Sequence, residues 1–256
     1  MMAAPDLRTR MAQTPSDLQA AQRLRYDVFV TEMGARAYGD GATKGLEADR
    51  YDAAAQHLLL EDLTRPSGNQ VVGVYRLLDQ KAAQDAGQFY CADEFDLSPL
   101  LQSGLRVLEL GRSCLHRDYR GGAGLMHLWS ALAQIVQDAQ IDLLFGAASF
   151  HGTDVKTLAQ PLSYLHHNHR APAAICPVAI GANAITCDQL TLDQIDRRAA
   201  AIAMPALVKA YLRLGGCVGQ GAYVDHDFQT TDVCLILETS KIDPKRLAQM
   251  TQGPKP

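Results

Sequence analysis

Apolar residues recur along this chain with two periods. Leu18, Ala21, Leu24 and Val28 return at helical spacing. Thr14-Pro15-Ser16-Asp17, just ahead of them, reads as a helix start. Thr14 can cap, Pro15 suits the first turn, and Asp17 stands where a capping-box acid belongs. A second helical stripe is formed by Leu125, Leu128, Leu132, Ile135 and Val136. Further helices are expected over 155–165 and 205–214, the latter stopped by Gly215-Gly216. Strands are expected over 56–63, 70–78, 106–115, 141–148 and 231–238. Arg65-Pro66-Ser67-Gly68-Asn69 supplies turn chemistry between the first two. The 141–148 run is continuously apolar, as in a sheet covered on both faces. The Gly/Ala/Asp-rich stretch 34–55 is expected to be an ordered loop. The pattern predicts an α/β fold, with an antiparallel-to-mixed central sheet flanked by helices. It is expected as one domain over 16–242, between a flexible N-terminus (1–15) and a C-terminal tail (243–256).

Composition narrows the function classes. A chain of 256 residues, 47% hydrophobic, can bury a proper core. Net charge is -4, so nothing global points to nucleic acid. The six cysteines are scattered without a Cys-x-x-Cys pair, which argues against a zinc ribbon and fits a reducing compartment. The N-terminus lacks the apolar core of a signal peptide, and 199–208 is too short to span a bilayer. The expected location is therefore cytoplasmic, with any membrane contact peripheral.

The segment Val107-Leu108-Glu109-Leu110-Gly111-Arg112-Ser113 is followed by Tyr119-Arg120-Gly121-Gly122-Ala123-Gly124 and then by a helix. Strand, glycine-rich turn and helix start can cradle an anion on free backbone N–H groups. By itself this is also what any tight strand-to-helix turn looks like. His166, His167 and His169 look like metal ligands at first sight, but no acid or cysteine stands nearby in sequence at ligand spacing. A helix-end polar network is the expected role, and no metal site is expected. His57 and Asp62 have the His-x4-Asp spacing of glycerolipid acyltransferases, yet in a strand that spacing puts them on opposite faces. No cysteine has a visible activating partner, and Ser113 lacks a nucleophile elbow.

Leu24-Arg25-Tyr26-Asp27-Val28-Phe29-Val30 resembles the opening of acyl-homoserine lactone synthases and related amino-acid N-acyltransferases. So do the acids Glu47, Asp49 and Asp52, then Val74-Tyr75-Arg76-Leu77-Leu78, then Glu109-Leu110-Gly111-Arg112. Three later stretches are similar to the ornithine-lipid synthases, the ornithine N-acyltransferases. They run from Leu162 to Pro172, from Leu207 to Gly215 and from Val224 to Val233. The resemblance covers roughly residues 16–238. It implies a GNAT-type fold, a 3-hydroxyacyl donor on acyl carrier protein, an α-amino acid acceptor and a lyso-aminolipid product. Two departures matter. Tyr119 stands where the usual acyl-CoA loop begins with Gln or Arg, which fits a carrier-protein donor. The tryptophan of lactone synthases is replaced by Glu32-Met33-Gly34, which disfavours lactone formation.

An α-amine is mostly protonated near neutral pH, so attack on a thioester needs proton removal. Glu109 is the expected base, with Asp49 and Glu47 as rivals whose other job is binding the acceptor's ammonium. Arg25, Arg76 or Arg112 can hold the acceptor's carboxylate bidentately. Phe29, Asp52 and Ser113 complete the expected substrate-binding set, and backbone N–H groups near 111–113 would steady the oxyanion. Arg120, Gly122 and Gly124 are expected at the acyl donor. Any one Arg and Asp of this set could equally form a buried ion pair that fixes the loop. Arg106, Arg112, Arg117, Arg120 and Arg170 form a candidate basic rim for an acidic carrier protein. No cofactor beyond the thioester is expected. Ornithine is the default acceptor because Glu32, Asp40 and the 47–52 acids could meet its second ammonium; glutamine stays open. The rival functions are a lactone synthase, an acetyl-CoA-dependent N-acetyltransferase and a non-catalytic binding protein.

Overall fold

The computed structural model describes residues 4–37, 39–121 and 123–242, with the side chains of Gly39 and Asp40 outside the description. Gly122 and the expected tail 243–256 thus lie outside the described residues. The single domain expected over 16–242 resolves into two compact units. The first takes in residues up to 87 and 110–140; the second takes in 88–109 and 141–242.

In the first unit, Leu7–Met11, Gln56–Asp62 and Val71–Asp79 form antiparallel strands in that order, and the later part of Val107–Leu115 follows them. The strand Leu7–Met11 corrects the expectation of a wholly flexible N-terminus. Arg10, opposite Leu59 in the register, grips Glu61 (2.8 and 2.7 Å) and Asp17 (2.7 Å), so both strand and helix start hold this segment down. Helix Pro15–Arg25 starts as its residues require. Thr14 accepts the Asp17 N–H, and the Asp17 carboxylate accepts the Thr14 N–H, an arrangement worth about 1 kcal/mol. The helix then widens into a π-helix, Tyr26–Glu32, a feature that apolar spacing does not reveal.

The two longest helices of this unit among the described residues serve opposite sheet faces. Ala21, Leu24 and Val28 pack on Leu59, Val74 and Cys114. Helix Gly124–Asp138 lies against the other face, where the Trp129 indole donates to the Tyr75 hydroxyl at 3.2 Å. Its first residue has no room for a side chain. A Cβ on Gly124 would sit 3.0 Å from the Tyr119 carbonyl and 3.4 Å from Leu60 and Leu115.

In the second unit, Val107–Glu109 run parallel to Leu143–Phe145. Strand Leu143–His151 lies antiparallel to Thr230–Glu238 along its whole length, and Ala222–Asp225 follows on the far side. The sheet is therefore mixed, as expected. Helix Ala159–His169 begins four residues later than the sequence suggests, because 155–158 form turns stabilised by Asp154. Helix Ala206–Arg213 ends at Gly215, whose φ of 95° only glycine adopts readily. No helix among the described residues is long and apolar enough to cross a membrane.

Candidate active site

In the first unit, six of the residues singled out by sequence meet in one closed ring of alternating charge. Arg25 meets Glu47 at 2.5 Å in a bent ion pair and Asp52 at 2.7 Å. Asp52 meets Arg76 at 3.1 Å, and Arg76 meets Asp49 at 2.6 Å. Asp49 meets Arg112 at 3.0 Å, and Arg112 returns to Glu47 at 3.0 Å. Three cations thus balance three anions.

Each member has a structural reason to be there. Arg25 closes the last turn of Pro15–Arg25 and has no exposed surface. Arg76 sits on Val71–Asp79, directly opposite His57 in the register, and is 2% exposed. Gly111 borders it, and a Cβ there would make only an ordinary contact, 3.8 Å from the Arg76 Nε. The three acids come from the loop before Gln56–Asp62. That loop is ordered, as expected, because the Asp52 carboxylate accepts from Arg25 and from Gln22 (2.9 Å), and the Glu47 carbonyl accepts from Arg25. Arg112 joins from Val107–Leu115 with φ of 50°, a left-handed backbone that costs a non-glycine residue about 1–3 kcal/mol.

This geometry gives Glu47 and Asp49 a structural part in the ring. Burial pushes the Asp49 carboxyl up, but Arg76 and Arg112 outweigh it and hold it below the ordinary carboxylate range. Asp52 is held low in the same way, chiefly by Arg25 against burial. Glu47 is paired with Arg25 and Arg112, and Asp49 with Arg76 and Arg112, so both acids help fix the loop. Asp49 (20% exposed side chain) and Arg112 (9%) are the ring members that share the more open arc with Glu47. Phe29 is part-buried and packs against the Ala21–Leu24–Val28 core cluster.

His57 lies beneath the ring, 3% exposed, its Nε2 3.1 Å from the Asp52 carbonyl. Burial pushes its pKa down, so it is neutral in the folded chain. Asp62 is engaged elsewhere, accepting from Tyr119, Thr64 and the Asp6 N–H, which separates the two members of the His-x4-Asp spacing. A pH prediction follows from these directions. Unfolded His57 takes up a proton below about 6.5, its ordinary value, while the folded residue resists. Stability is therefore full above that pH and declines as pH falls below it. Asp49 and Asp52 add a second, steeper loss below their ordinary value of 3.8, where the unfolded chain binds protons that the ring excludes. Urea midpoints measured from pH 8 to 3 should show both stages, and His57→Asn should shrink the first. A midpoint flat between pH 7 and 4.5 would contradict this account.

Glu109 falls in the second unit and is 2% exposed. Its Oε2 accepts the Tyr90 N–H at 2.8 Å and its Oε1 accepts the Cys91 N–H at 2.7 Å. Those amides begin the 3-10 turn Tyr90–Asp93, so the carboxylate is oriented by two backbone donors. Sequence reasoning missed Tyr90 and Cys91. Only their backbone is used, so no side-chain motif announces them.

The expected donor residues fare unevenly. Arg120 donates to both carboxylate oxygens of Glu32, one at 3.0 Å, and Arg117 lies 3.6 Å from the same acid. Glu32 is therefore an anchor for the Tyr119–Arg120 turn rather than a free acid for the acceptor, and the basic rim is partly neutralised. Tyr119 donates to Asp62 at 2.5 Å, and Gly124 serves close packing. The histidine cluster takes part in a polar network, as expected, but with an acid that sequence spacing does not offer. Asp188, remote in sequence, lies 3.8 Å from His166 Nε2 and 3.4 Å from His167 Nε2. His167 Nε2 also lies 2.9 Å from the Leu190 carbonyl, and Ser163 accepts from the Gln189 and Leu190 N–H groups. Together they tie Ala159–His169 to the 187–190 loop. Burial pushes the Cys114 and Cys187 thiols up to about 12, which disqualifies both as nucleophiles.

Comparison with known proteins gives the family and the fold. Residues 24–130 match the family model described as an acetyltransferase (GNAT) domain. A Rhodobacter capsulatus protein named L-ornithine N(alpha)-acyltransferase is 49% identical over 96% of this chain and 95% of its own. A Brucella abortus protein of the same name is 41% identical over 94% and 88%. Among solved structures, the acyl-homoserine lactone synthase LasI superposes with a TM-score of 0.51 at 15% identity, over 99% of this chain and 98% of that one. That likeness is one of fold.

Proposed function

This chain belongs to the L-ornithine N(alpha)-acyltransferase family, and we propose that it transfers a 3-hydroxy fatty acyl group from acyl carrier protein to the α-amine of L-ornithine. The observation that carries the acceptor is the 49% identity, over nearly the whole chain, to a protein named for that reaction. An acyltransferase of GNAT fold needs no covalent enzyme intermediate. Holding the amine beside the thioester carbonyl lowers the barrier by itself.

In the proposed step the amine nitrogen bonds to the thioester carbon, the C–S bond breaks, and the carrier's thiol leaves. The acceptor's ammonium gives up two protons in all, one of which ends on the departing sulfur as the carrier's thiol. Glu109 takes one proton, directly or through one water; its carboxylate is buried and oriented by the Tyr90 and Cys91 N–H groups. Arg112, on the more open arc of the ring, is the proposed contact for the acceptor's carboxylate. Backbone N–H groups at 111–113 are proposed to face the developing oxyanion, which is the use we assign to the left-handed Arg112. The thioester supplies the activated acyl group, so the step draws on no further cofactor. The product is amphiphilic, which suits a cytoplasmic enzyme with peripheral contact to the membrane's inner face.

A thiol-release assay tests this reading, using 3-hydroxyacyl carrier protein and single amino acids. Release with ornithine and little with the others is expected. Release with glutamine instead would move the acceptor. Release only when acyl-CoA replaces the carrier protein would overturn the donor. Silence under every condition would overturn the reading as a whole.

A further inference from the structure

The second unit carries an apolar and basic surface that the proposed reaction does not use. Leu192 and Ile202 are 62% and 72% exposed, the two most exposed large apolar side chains among the described residues. A lone exposed apolar residue is ordinary. These two are presented by built structure.

Residues 191–194 form a tight turn. The Gln194 N–H donates to the Thr191 carbonyl at 2.9 Å, and the Thr191 N–H donates to the Gln194 side chain at 3.0 Å. Turn tips favour Gly, Asn, Asp or Ser, yet Leu192 occupies this one. Gln160 clamps the end of the turn to helix Ala159–His169. Its side chain donates to the Gln194 carbonyl at 3.2 Å and accepts the Asp196 N–H at 2.8 Å. Helix Arg197–Ala203 follows, lies against Ala159–His169 and buries Ala200. Arg198 and Ile202 stand two places either side of Ala200. Two steps of about 100° put both on the opposite side of the helix, and both are exposed.

Charge gives the second observation. Residues 197–213 contain Arg197, Arg198, Lys209 and Arg213 and no acid, in a chain whose net charge is -4. None of the four has an ion-pair partner among the described residues. The acid just ahead of them, Asp196, is committed to the helix start, where it accepts the Arg198 and Ala199 N–H groups at 2.8 and 3.1 Å. Asp193, at the turn, bonds to Thr191.

We propose that Leu192, Ile202 and the cations of 197–213 form the face by which the enzyme docks on an anionic lipid bilayer. Unpaired guanidinium groups match lipid phosphates, while the two apolar side chains enter the interface between headgroups and acyl chains. An acidic protein would match the charges alone. A bilayer also supplies a deformable apolar layer for two side chains that project singly. The contact has a use, because a docked enzyme releases an amphiphilic product into lipid rather than water. That use rests on the reading that the product is an N-acyl amino acid.

Co-sedimentation of the full chain with vesicles tests the proposal. Vesicles of phosphatidylcholine alone are compared with vesicles enriched in phosphatidylglycerol. Binding to the anionic vesicles, weakened by salt, is expected. Arg197→Gln/Arg198→Gln should weaken it about thirtyfold. Leu192→Gln/Ile202→Gln should weaken it about tenfold or more. Both variants should turn over soluble 3-hydroxyacyl carrier protein and ornithine as the wild type does when no vesicles are present. Equal binding by wild type and variants, or no binding to either kind of vesicle, would overturn the proposal. So would a dimer in light scattering that Leu192→Gln/Ile202→Gln dissolves, which gives the face to a second copy. A raised KM for carrier protein in the arginine variant would overturn it too, by giving the face to that protein. Vesicle binding is read without turnover, so failure of the proposed function is distinct: the chain would then bind vesicles and acylate no amino acid.

Discussion

Replacing Arg25 with Met lowers the free energy of unfolding by about 3–5 kcal/mol, the cost expected when one partner leaves a buried charge network. Arg25 has no exposed surface and touches two acids, Asp52 and Glu47. In its absence two arginines face three carboxylates. Asp52 retains Gln22 and Arg76, at 2.9 and 3.1 Å, and Glu47 retains Arg112. The loss spreads to the loop, because Arg25 also holds the Glu47 carbonyl. Urea unfolding measures the effect. The double variant Arg25→Met/Asp52→Asn, which removes one charge of each sign, should recover part of the loss. If Arg25→Met costs less than about 1 kcal/mol, the ring is an ordinary exposed salt-bridge set and its structural role fails.

Glu109→Gln lowers kcat/KM by about 10²–10⁴, the range for losing a positioned general base. The substitution also disturbs structure. A glutamine side chain must turn its NH₂ toward either the Tyr90 or the Cys91 amide, placing donor against donor and costing about 1–3 kcal/mol. The two effects separate by pH. If Glu109 removes the proton, the variant recovers as pH rises past about 8, where an α-amine loses its proton unaided. If Glu109 only holds the Tyr90–Asp93 turn, the variant stays slow at every pH. Recovery is the expected result.

Much of the fold was legible because its signals are local. The cap at Thr14, the stripe from Leu125 to Val136 and the stop at Gly215 depend on neighbours within a few residues, and each appears where the spacing puts it. The strand Leu7–Met11 escaped because it is held by charge, through Arg10, rather than by a long apolar run. The π-helix after Arg25 escaped because hydrophobic spacing does not separate it from a continuing α-helix. At the site, motif order identified Arg25, Asp49, Asp52, Arg76 and Arg112 as a set. It did not reveal that with Glu47 they close into a ring, which depends on the path of the 34–55 loop. That closure pairs each of Glu47 and Asp49 with two arginines. Asp188 beside His166 was invisible for a related reason. Loop packing brings them together, and linear spacing does not record it.

The measurement that bears most directly on the central claim locates the acyl group on the product. Purified protein is incubated with 3-hydroxyacyl carrier protein and ornithine, and the product is fragmented in a mass spectrometer. The account predicts one acyl group on the α-nitrogen, formed in equal amount to the carrier thiol released. An acyl group on the side-chain nitrogen, or thiol released without any acylated ornithine, would contradict it.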